Sequence, residues 1–166
     1  RTIELMGLLT AAITAMLIQQ SLMTMTTSAI PALWRYIGPD FDLADSRIAV
    51  YSLLVSSVGF FASSAAGSAI IKFGPLRASQ LCLAAAAIGL TGASFGVFWV
   101  ILPAAMLMGI GMGPSTPASS QILARYAKPH QAPLVFSIKQ TGVPIGGVLA
   151  GAVLVPIAEA HGWRTA

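Results

Sequence analysis

The stretch FSIKQTGVPIGGVLAG, residues 136–151, decides the fold of this chain. Its small residues recur at every fourth position on two neighbouring helical faces: Gly142, Gly146 and Ala150 on one, Gly147 and Gly151 on the other. In lipid, such faces let a second helix approach to backbone contact. Lys139 is the single charge in the stretch, and an ammonium group is costly to dehydrate. The pattern predicts a closely packed membrane helix whose lysine faces protein, water or a ligand.

The composition excludes an ordinary soluble domain. Hydrophobic residues make up 56% of the chain and charged residues 8%, against roughly 25% charged in soluble domains. A helix needs about 20 apolar residues to cross the hydrocarbon layer of a bilayer. Residues 5–34, 48–71 and 78–124 carry no charge, and residues 132–158 carry only Lys139. We therefore predict an all-α membrane protein, a polytopic bundle of five transmembrane helices over residues 5–30, 47–71, 78–98, 104–124 and 132–157.

The sequence lacks the residue patterns that nucleic-acid binding or intramembrane catalysis would require. The net charge is +4, but the basic residues form no patch, so we expect no nucleic-acid partner. An intramembrane enzyme would need paired aspartates, an H-E-x-x-H helix or a serine–histidine pair, and the predicted spans contain none. We therefore expect no enzyme activity, no metal and no cofactor. The single cysteine, Cys82, forbids an internal disulfide.

The basic residues indicate orientation. With the N-terminus inside, Arg1, Lys72, Arg77, Arg125 and Lys128 are cytoplasmic, whereas Arg35, Arg47 and Arg164 are outside. The positive-inside rule then predicts a cytoplasmic N-terminus. The membrane we expect is the plasma (bacterial inner) membrane. An odd number of spans places the two ends on opposite faces, and the chain starts without methionine, so we expect a fragment of a longer protein.

Polar residues inside the spans are the candidate binding groups. Gln20, Met23, Thr24 and Thr27 share one helical face, with Gln19 beside it. That face either lines a cavity or bonds to neighbouring helices, as Gln and Thr do in membrane bundles. For Lys139, beside Gln140, three interpretations stay open: a ligand or gating role, a structural bond to an acidic group or carbonyl in a part of the protein beyond this chain, and snorkelling to the interface.

Two further patterns concern helix packing. The serines and glycines of the second span form a stripe that we interpret as a packing seam rather than a binding surface: Ser52, Ser56, Gly59, Ser63 and Gly67. In the fourth span, Gly109, Gly113 and Pro114 predict a bend. We interpret residues 31–46 as the first loop, because prolines and aspartates flank aromatic residues there.

The chain resembles the amino-terminal half of a major facilitator superfamily permease. The number of spans and the short basic turn after the second are similar to that family's six-helix half. The turn GSAIIKFG, residues 67–74, lies where the family has the motif G-x-x-x-D-[RK]-x-G-[RK]-[RK]. Ile71 replaces the aspartate of that motif. The residues that remain are Gly67, Lys72, Gly74 and Arg77. Residues 142–147, GVPIGG, resemble the G-P-x-x-G-G signature of antiporters, with Pro144 displaced by one position. Many bacterial members of undefined substrate look similar.

The resemblance implies that residues 1–166 are a partial N-terminal transmembrane domain, with the sixth helix and the C-terminal half absent. It implies a secondary-active transporter that moves a small solute by alternating access, and Lys139 points to an organic anion. The residues assigned to substrate binding are Lys139, Gln140, Gln19 and Gln20. Those assigned to packing and gating are Gly142, Pro144, Gly146, Gly147, Gly109, Gly113 and Pro114.

The same resemblance implies the partners. They are the solute, the lipid bilayer and a coupling ion, a proton or another, and the full-length protein would be a monomer. Ala105 stands where many proton-coupled members have an arginine, and the spans contain no Asp, Glu or His. A coupling ion would therefore use the missing half. The alternative from another class is a non-catalytic integral membrane subunit or channel component.

Overall fold

In a computed structural model, the described part of the chain is a bundle of long helices. The structure describes residues 2–166, with side chains from residue 7 onward, so Arg1 of the orientation argument lies outside the described residues. Its helices are α1 (Thr2–Asp40), α2 (Arg47–Phe73), α3 (Pro75–Ser94), α4 (Phe98–Ala124) and α5 (Ala132–His161). From Gly7 onward, five helices are long and apolar enough to cross a membrane. The all-helical fold class is confirmed.

Helix α1 is longer than the sequence predicts. It continues through Pro31 and Pro39 to Asp40, so the interpretation of residues 31–46 as a loop is wrong for most of that range. The reason is packing, since residues of one helical face beyond Pro31 are buried in the core: Leu33, Trp34 and Ile37. A membrane helix tolerates a proline where neighbouring groups satisfy the freed carbonyl. The apolar face therefore outweighs the proline signal.

Two short turns set the antiparallel packing of α2, α3 and α4. Gly74, at a φ of 80°, ends α2, and Pro75 begins α3. Such a positive φ favours glycine, and a proline in the first turn of a helix gives up no hydrogen bond. Gly96, at a φ of 66°, makes the turn into α4, which begins at Phe98. The link predicted over residues 99–103 is thus helical.

Helix α4 lies at the centre of the bundle and packs against α1, α2 and α3. Its helical assignment is unbroken from Phe98 to Ala124, although Pro103, Pro114 and Pro117 lie inside it. Bulky side chains are exposed on the outer surface of the bundle, where lipid would cover them, among them Phe61, Ile71, Leu81 and Val148. This inverted pattern, small residues inside and large ones outside, is typical of membrane bundles.

Helix α5 is irregular in two places. Thr141 interrupts the α-helix between Ala132–Gln140 and Gly142–Leu149, and its hydroxyl donates a hydrogen bond to the Ile138 carbonyl at 2.6 Å. A π-helical segment, Ala150–Leu154, precedes Val155–His161. Pro156 follows the π segment and has no N–H to donate, which weakens the regular ladder there. The irregular backbone coincides with the glycine-rich stretch.

Candidate functional site

A polar cavity lies between α1, α2, α4 and α5. Its volume is about 470 Å³, within the range of small-molecule sites, roughly 300–1,000 Å³. None of the residues lining it carries a charge, and eight have side-chain hydrogen-bonding groups: Gln20, Thr24, Thr27, Ser56, Ser63, Ser115, Thr116 and Gln140. The apolar side chains in the wall are Met23, Phe60, Met112 and Val143. The arrangement suits a small molecule with polar groups and one apolar face.

The face of α1 predicted from helical spacing lies in this wall. All four of its members line the cavity: Gln20, Met23, Thr24 and Thr27. The Thr27 hydroxyl donates to the Met23 carbonyl at 3.1 Å, so this threonine is satisfied within its own helix. Gln20 is buried, and its Oε1 has no hydrogen-bond partner among the described residues. Gln20 is therefore a buried cavity-lining residue with unused hydrogen-bonding capacity.

Lys139 lies behind the cavity wall rather than in it. It is 1% exposed and is the largest of the fully buried side chains described. Its Nζ donates to the Thr116 carbonyl at 3.3 Å and to Ser120 Oγ at 3.4 Å. Both distances exceed the usual value of about 2.9 Å, so the ammonium is only weakly satisfied. Thr116 itself lines the cavity and separates Lys139 from it.

No acidic side chain neutralises Lys139 in the part of the chain that the structure describes. The ion pairs found there join Arg35 to Glu159 at 2.6 Å and Arg164 to Asp40 at 3.8 Å, at the end of the bundle where α1 and α5 end. Snorkelling is not what the structure shows, because the lysine side chain does not reach the surface. A buried charge without a counter-ion is costly.

A second buried contact supports the same wall from α1. Gln19 is 4% exposed, and its Nε2 donates to Ser115 Oγ at 3.1 Å. The neighbouring Ser119 Oγ donates to the Ser115 carbonyl at 2.7 Å. Gln19 and Lys139 therefore hold adjacent residues of α4, Ser115 and Thr116, from opposite neighbouring helices. The four predicted binding residues divide into two that line the cavity, Gln20 and Gln140, and two that support its wall.

Glycines set the closeness of the helices around the cavity. A Cβ placed on Gly142 would meet the Leu17 carbonyl oxygen of α1 at 2.9 Å, and one on Gly146 would meet the Met25 nitrogen at 2.9 Å. Helix α2 contacts α4 in the same way, since a Cβ on Gly109 would meet the Val55 oxygen at 2.7 Å and one on Gly113 the Ser63 nitrogen at 2.7 Å. In lipid, such backbone contact replaces the hydrophobic driving force.

The remaining predicted positions are open in the described structure. A Cβ on Gly147 or on Gly67 would meet nothing within 4 Å. Pro144 is exposed next to Gly147, and Pro114 is part of the unbroken α4. Lys72 is exposed with its Nζ 5.3 Å from the Phe73 ring centroid, and Arg77 is exposed in the first turn of α3.

Sequence reasoning missed the contribution of α2 to the site. Ser56 and Ser63 line the cavity, and Gly59 between them contacts α4. The stripe that we interpreted as a packing seam is therefore a seam at Gly59 and a cavity wall at Ser56 and Ser63. Ser115 and Thr116 were also not singled out. Their position between Pro114 and Pro117 in a membrane helix was the available signal.

Comparison of the chain with known proteins identifies a family but no individual relative. No curated protein and no solved structure matches the chain. The model of the family described as Major Facilitator Superfamily matches residues 8–166.

Proposed function

The chain belongs to the major facilitator superfamily of membrane transporters, and we propose that it moves a small organic anion across the plasma membrane by alternating access. One observation carries the proposal: an uncharged polar cavity between four spans, with the buried ammonium of Lys139 behind its wall and no described carboxylate beside it. An ammonium in low dielectric attracts an anion far more strongly than in water. The residues lining the cavity would form hydrogen bonds with the anion, and Lys139 would supply the opposite charge.

The four polar residues would act in two ways. Gln20 and Gln140 line the cavity, so their amides would contact the solute directly. Gln19 and Lys139 would position Ser115 and Thr116 and would place positive potential behind them. The Gln20 Oε1 without a partner would accept a hydrogen bond from an O–H or N–H of the solute. A hydroxy acid or an amide-bearing carboxylate has both of the required groups.

The glycines would allow the movement. Transporters of this kind rock bundles of helices around a site near the bilayer midplane. The contacts of Gly142 and Gly146 with α1, and of Gly109 and Gly113 with α2, would keep α1, α2, α4 and α5 together as one body during that movement. The open face of α5 at Pro144 and Gly147 would contact the other half of the transporter. The loop motif, Gly67 to Arg77, would contact that half on the cytoplasmic side.

The finer details of the proposal follow from the same features. The N-terminus would be cytoplasmic, because Lys72, Arg77, Arg125 and Lys128 lie at the end of the bundle opposite to the aspartates. A coupling ion, a proton or another, would be bound in the other half of the full-length protein, which would work as a monomer. Members of this family are transporters and not, in general, enzymes.

Uptake into liposomes tests the proposal. The full-length protein would be reconstituted and supplied with a panel of radiolabelled carboxylates and neutral analogues of equal size. We expect uptake of a carboxylate, and a loss of about ten-fold or more in Lys139→Met, since opposite unit charges about 8 Å apart attract each other by roughly 2 kcal/mol at an effective dielectric constant of about 20. Lys128→Met is the matched control, because it removes an exposed lysine in the turn between α4 and α5, and it should retain uptake. Unchanged uptake in Lys139→Met would remove Lys139 from the site.

A further inference from the structure

A second cavity lies at the end of the bundle where α1 ends and α2 begins. Its volume is about 260 Å³, just below the range of ordinary small-molecule pockets, roughly 300–1,000 Å³. It has an almost entirely apolar wall, built from α1, the following turn, α2 and α4: Trp34, Ile37, Leu43, Val50, Tyr51, Phe98, Ile101 and Leu102. The Tyr51 hydroxyl is already bonded to Met108 Sδ at 3.1 Å, so it offers no free polar group. Such a space suits part of an alkyl chain.

Arg47 is the one charged residue that lines this cavity. It is exposed, and it makes no ion pair with any described residue. Guanidinium groups bind phosphate oxygens with two parallel hydrogen bonds. An apolar pocket with an unpaired arginine at its rim is complementary to a molecule with an alkyl chain and a phosphate or carboxylate head.

The surroundings place the cavity at the level of lipid headgroups. Aromatic side chains are concentrated at this end of the bundle, where Phe41 packs against Phe98 and Trp163, and Phe98 against Trp99. Tryptophan and tyrosine are enriched where a membrane protein crosses from hydrocarbon to water. A molecule of the bilayer would therefore reach this rim with its head in water and its chain in the pocket.

The charges around Arg47 favour a zwitterionic head. Asp42 and Asp45 lie in the same turn, are exposed and form no ion pair with described residues. A headgroup with net negative charge would be repelled by these carboxylates. An aminophospholipid offers a phosphate to Arg47 and an ammonium to the aspartates.

We propose that this cavity binds a phospholipid of the bilayer, with one acyl chain among Trp34, Tyr51 and Phe98 and a zwitterionic aminophosphate head on Arg47. The site is separate from the polar cavity. It does not depend on the transport proposal, because it shares no lining residue with that cavity.

Fluorescence quenching by brominated lipid tests the proposal. Trp34 lines the pocket and is therefore the fluorescent reporter. The full-length protein would carry Trp34 as its only tryptophan. It would be placed in nanodiscs in which brominated lipid is diluted into unbrominated phosphatidylcholine. We expect brominated phosphatidylethanolamine to quench Trp34 with a higher relative binding constant than brominated phosphatidylglycerol. Arg47→Gln should lower that constant about five-fold, since an ion pair at an exposed site contributes up to roughly 1 kcal/mol. Arg77→Gln, an exposed arginine at the other end of the bundle, should leave it unchanged.

Three outcomes overturn the proposal. Equal constants in Arg47→Gln and the parent would show that no head is bound there. Stronger quenching by phosphatidylglycerol would contradict the zwitterionic head. Quenching by micromolar bromodecanoate in water, without quenching by the phospholipid, would identify a free fatty acid as the occupant. A Leu102→Phe variant, which fills the pocket from α4 and leaves Arg47 on α2 unchanged, should also lose quenching. Elution as a single peak would show that each variant is folded.

Discussion

Gln19 and Gln140 carry the same amide but have different surroundings. Gln19 is buried and bonded to Ser115, whereas Gln140 is exposed in the cavity wall. Sequence spacing placed both among the candidates and could not separate them, because burial depends on which helices pack beside them. The structure therefore predicts that their substitutions have different effects on stability and on transport.

Gln19→Leu should destabilise the protein, and Gln140→Leu should not. Removing the Gln19 amide leaves the Ser115 hydroxyl buried without its donor, which costs about 1–3 kcal/mol. Gln140 is exposed to the cavity, so its substitution removes a contact with solute but no internal bond among those described. The measurements are the thermal unfolding midpoint in detergent and solute uptake. A lower midpoint in Gln140→Leu than in Gln19→Leu would contradict the assignment.

At the scale of the helix, the glycines of α5 have unequal roles although their spacing is the same. Gly146 faces α1 with its Cα against backbone, and Gly147 faces open space. The sequence predicted two small-residue faces but not which one is packed within this part of the chain. That choice depends on the rotation of α5, which its contacts with α1 determine.

Gly146→Ala should therefore destabilise the α1–α5 contact, and Gly147→Ala should not. A Cβ on Gly146 would lie 2.7 Å from Thr24 Cβ and 2.9 Å from the Met25 nitrogen, so the helices must separate. Overpacking of this kind costs about 1–3 kcal/mol. Thermal unfolding of the two variants in the same detergent measures the difference. Equal midpoints would show that α5 is free to move away from α1.

At the scale of the whole molecule, orientation in the membrane is the first prediction. Asp42 and Lys72 are exposed in turns at opposite ends of the bundle. In a background without other cysteines, Asp42→Cys should react with a charged, membrane-impermeant maleimide in intact cells. Lys72→Cys should react only after permeabilisation, because the positive-inside rule predicts that the basic turn is cytoplasmic. The reverse pattern would place the N-terminus outside.

Alternating access predicts that the polar cavity opens to one side at a time. Ser56→Cys lies in the cavity wall, and Leu53→Cys, 67% exposed on the same helix but outside that wall, is the matched control. Ser56→Cys should react with a charged methanethiosulfonate. Saturating substrate should change the rate of that reaction about ten-fold, because a shift of roughly 1.4 kcal/mol between the two conformations changes their ratio ten-fold. Leu53→Cys should not respond to substrate. A substrate-independent rate at Ser56→Cys would argue for a static pore.

The sequence by itself determined the class of this protein. A span needs about 20 apolar residues and backbone hydrogen bonds satisfied within the segment, so charge-free runs are sufficient to predict membrane helices. The glycine-rich stretch also predicted that Lys139 faces protein, water or a ligand, because a charge is too costly in lipid. These features depend on local composition and spacing, which can be read directly from the amino-acid sequence.

Only the tertiary structure decided how the predicted groups combine. It placed Gln20 and Gln140 in the cavity and Gln19 and Lys139 behind it, and it brought Ser56 and Ser115 into the same wall. It also extended α1 through Pro31, because the packed apolar face outweighs a local signal. Which face of a helix meets which neighbour depends on contacts between residues far apart in the chain, and no local pattern contains that information.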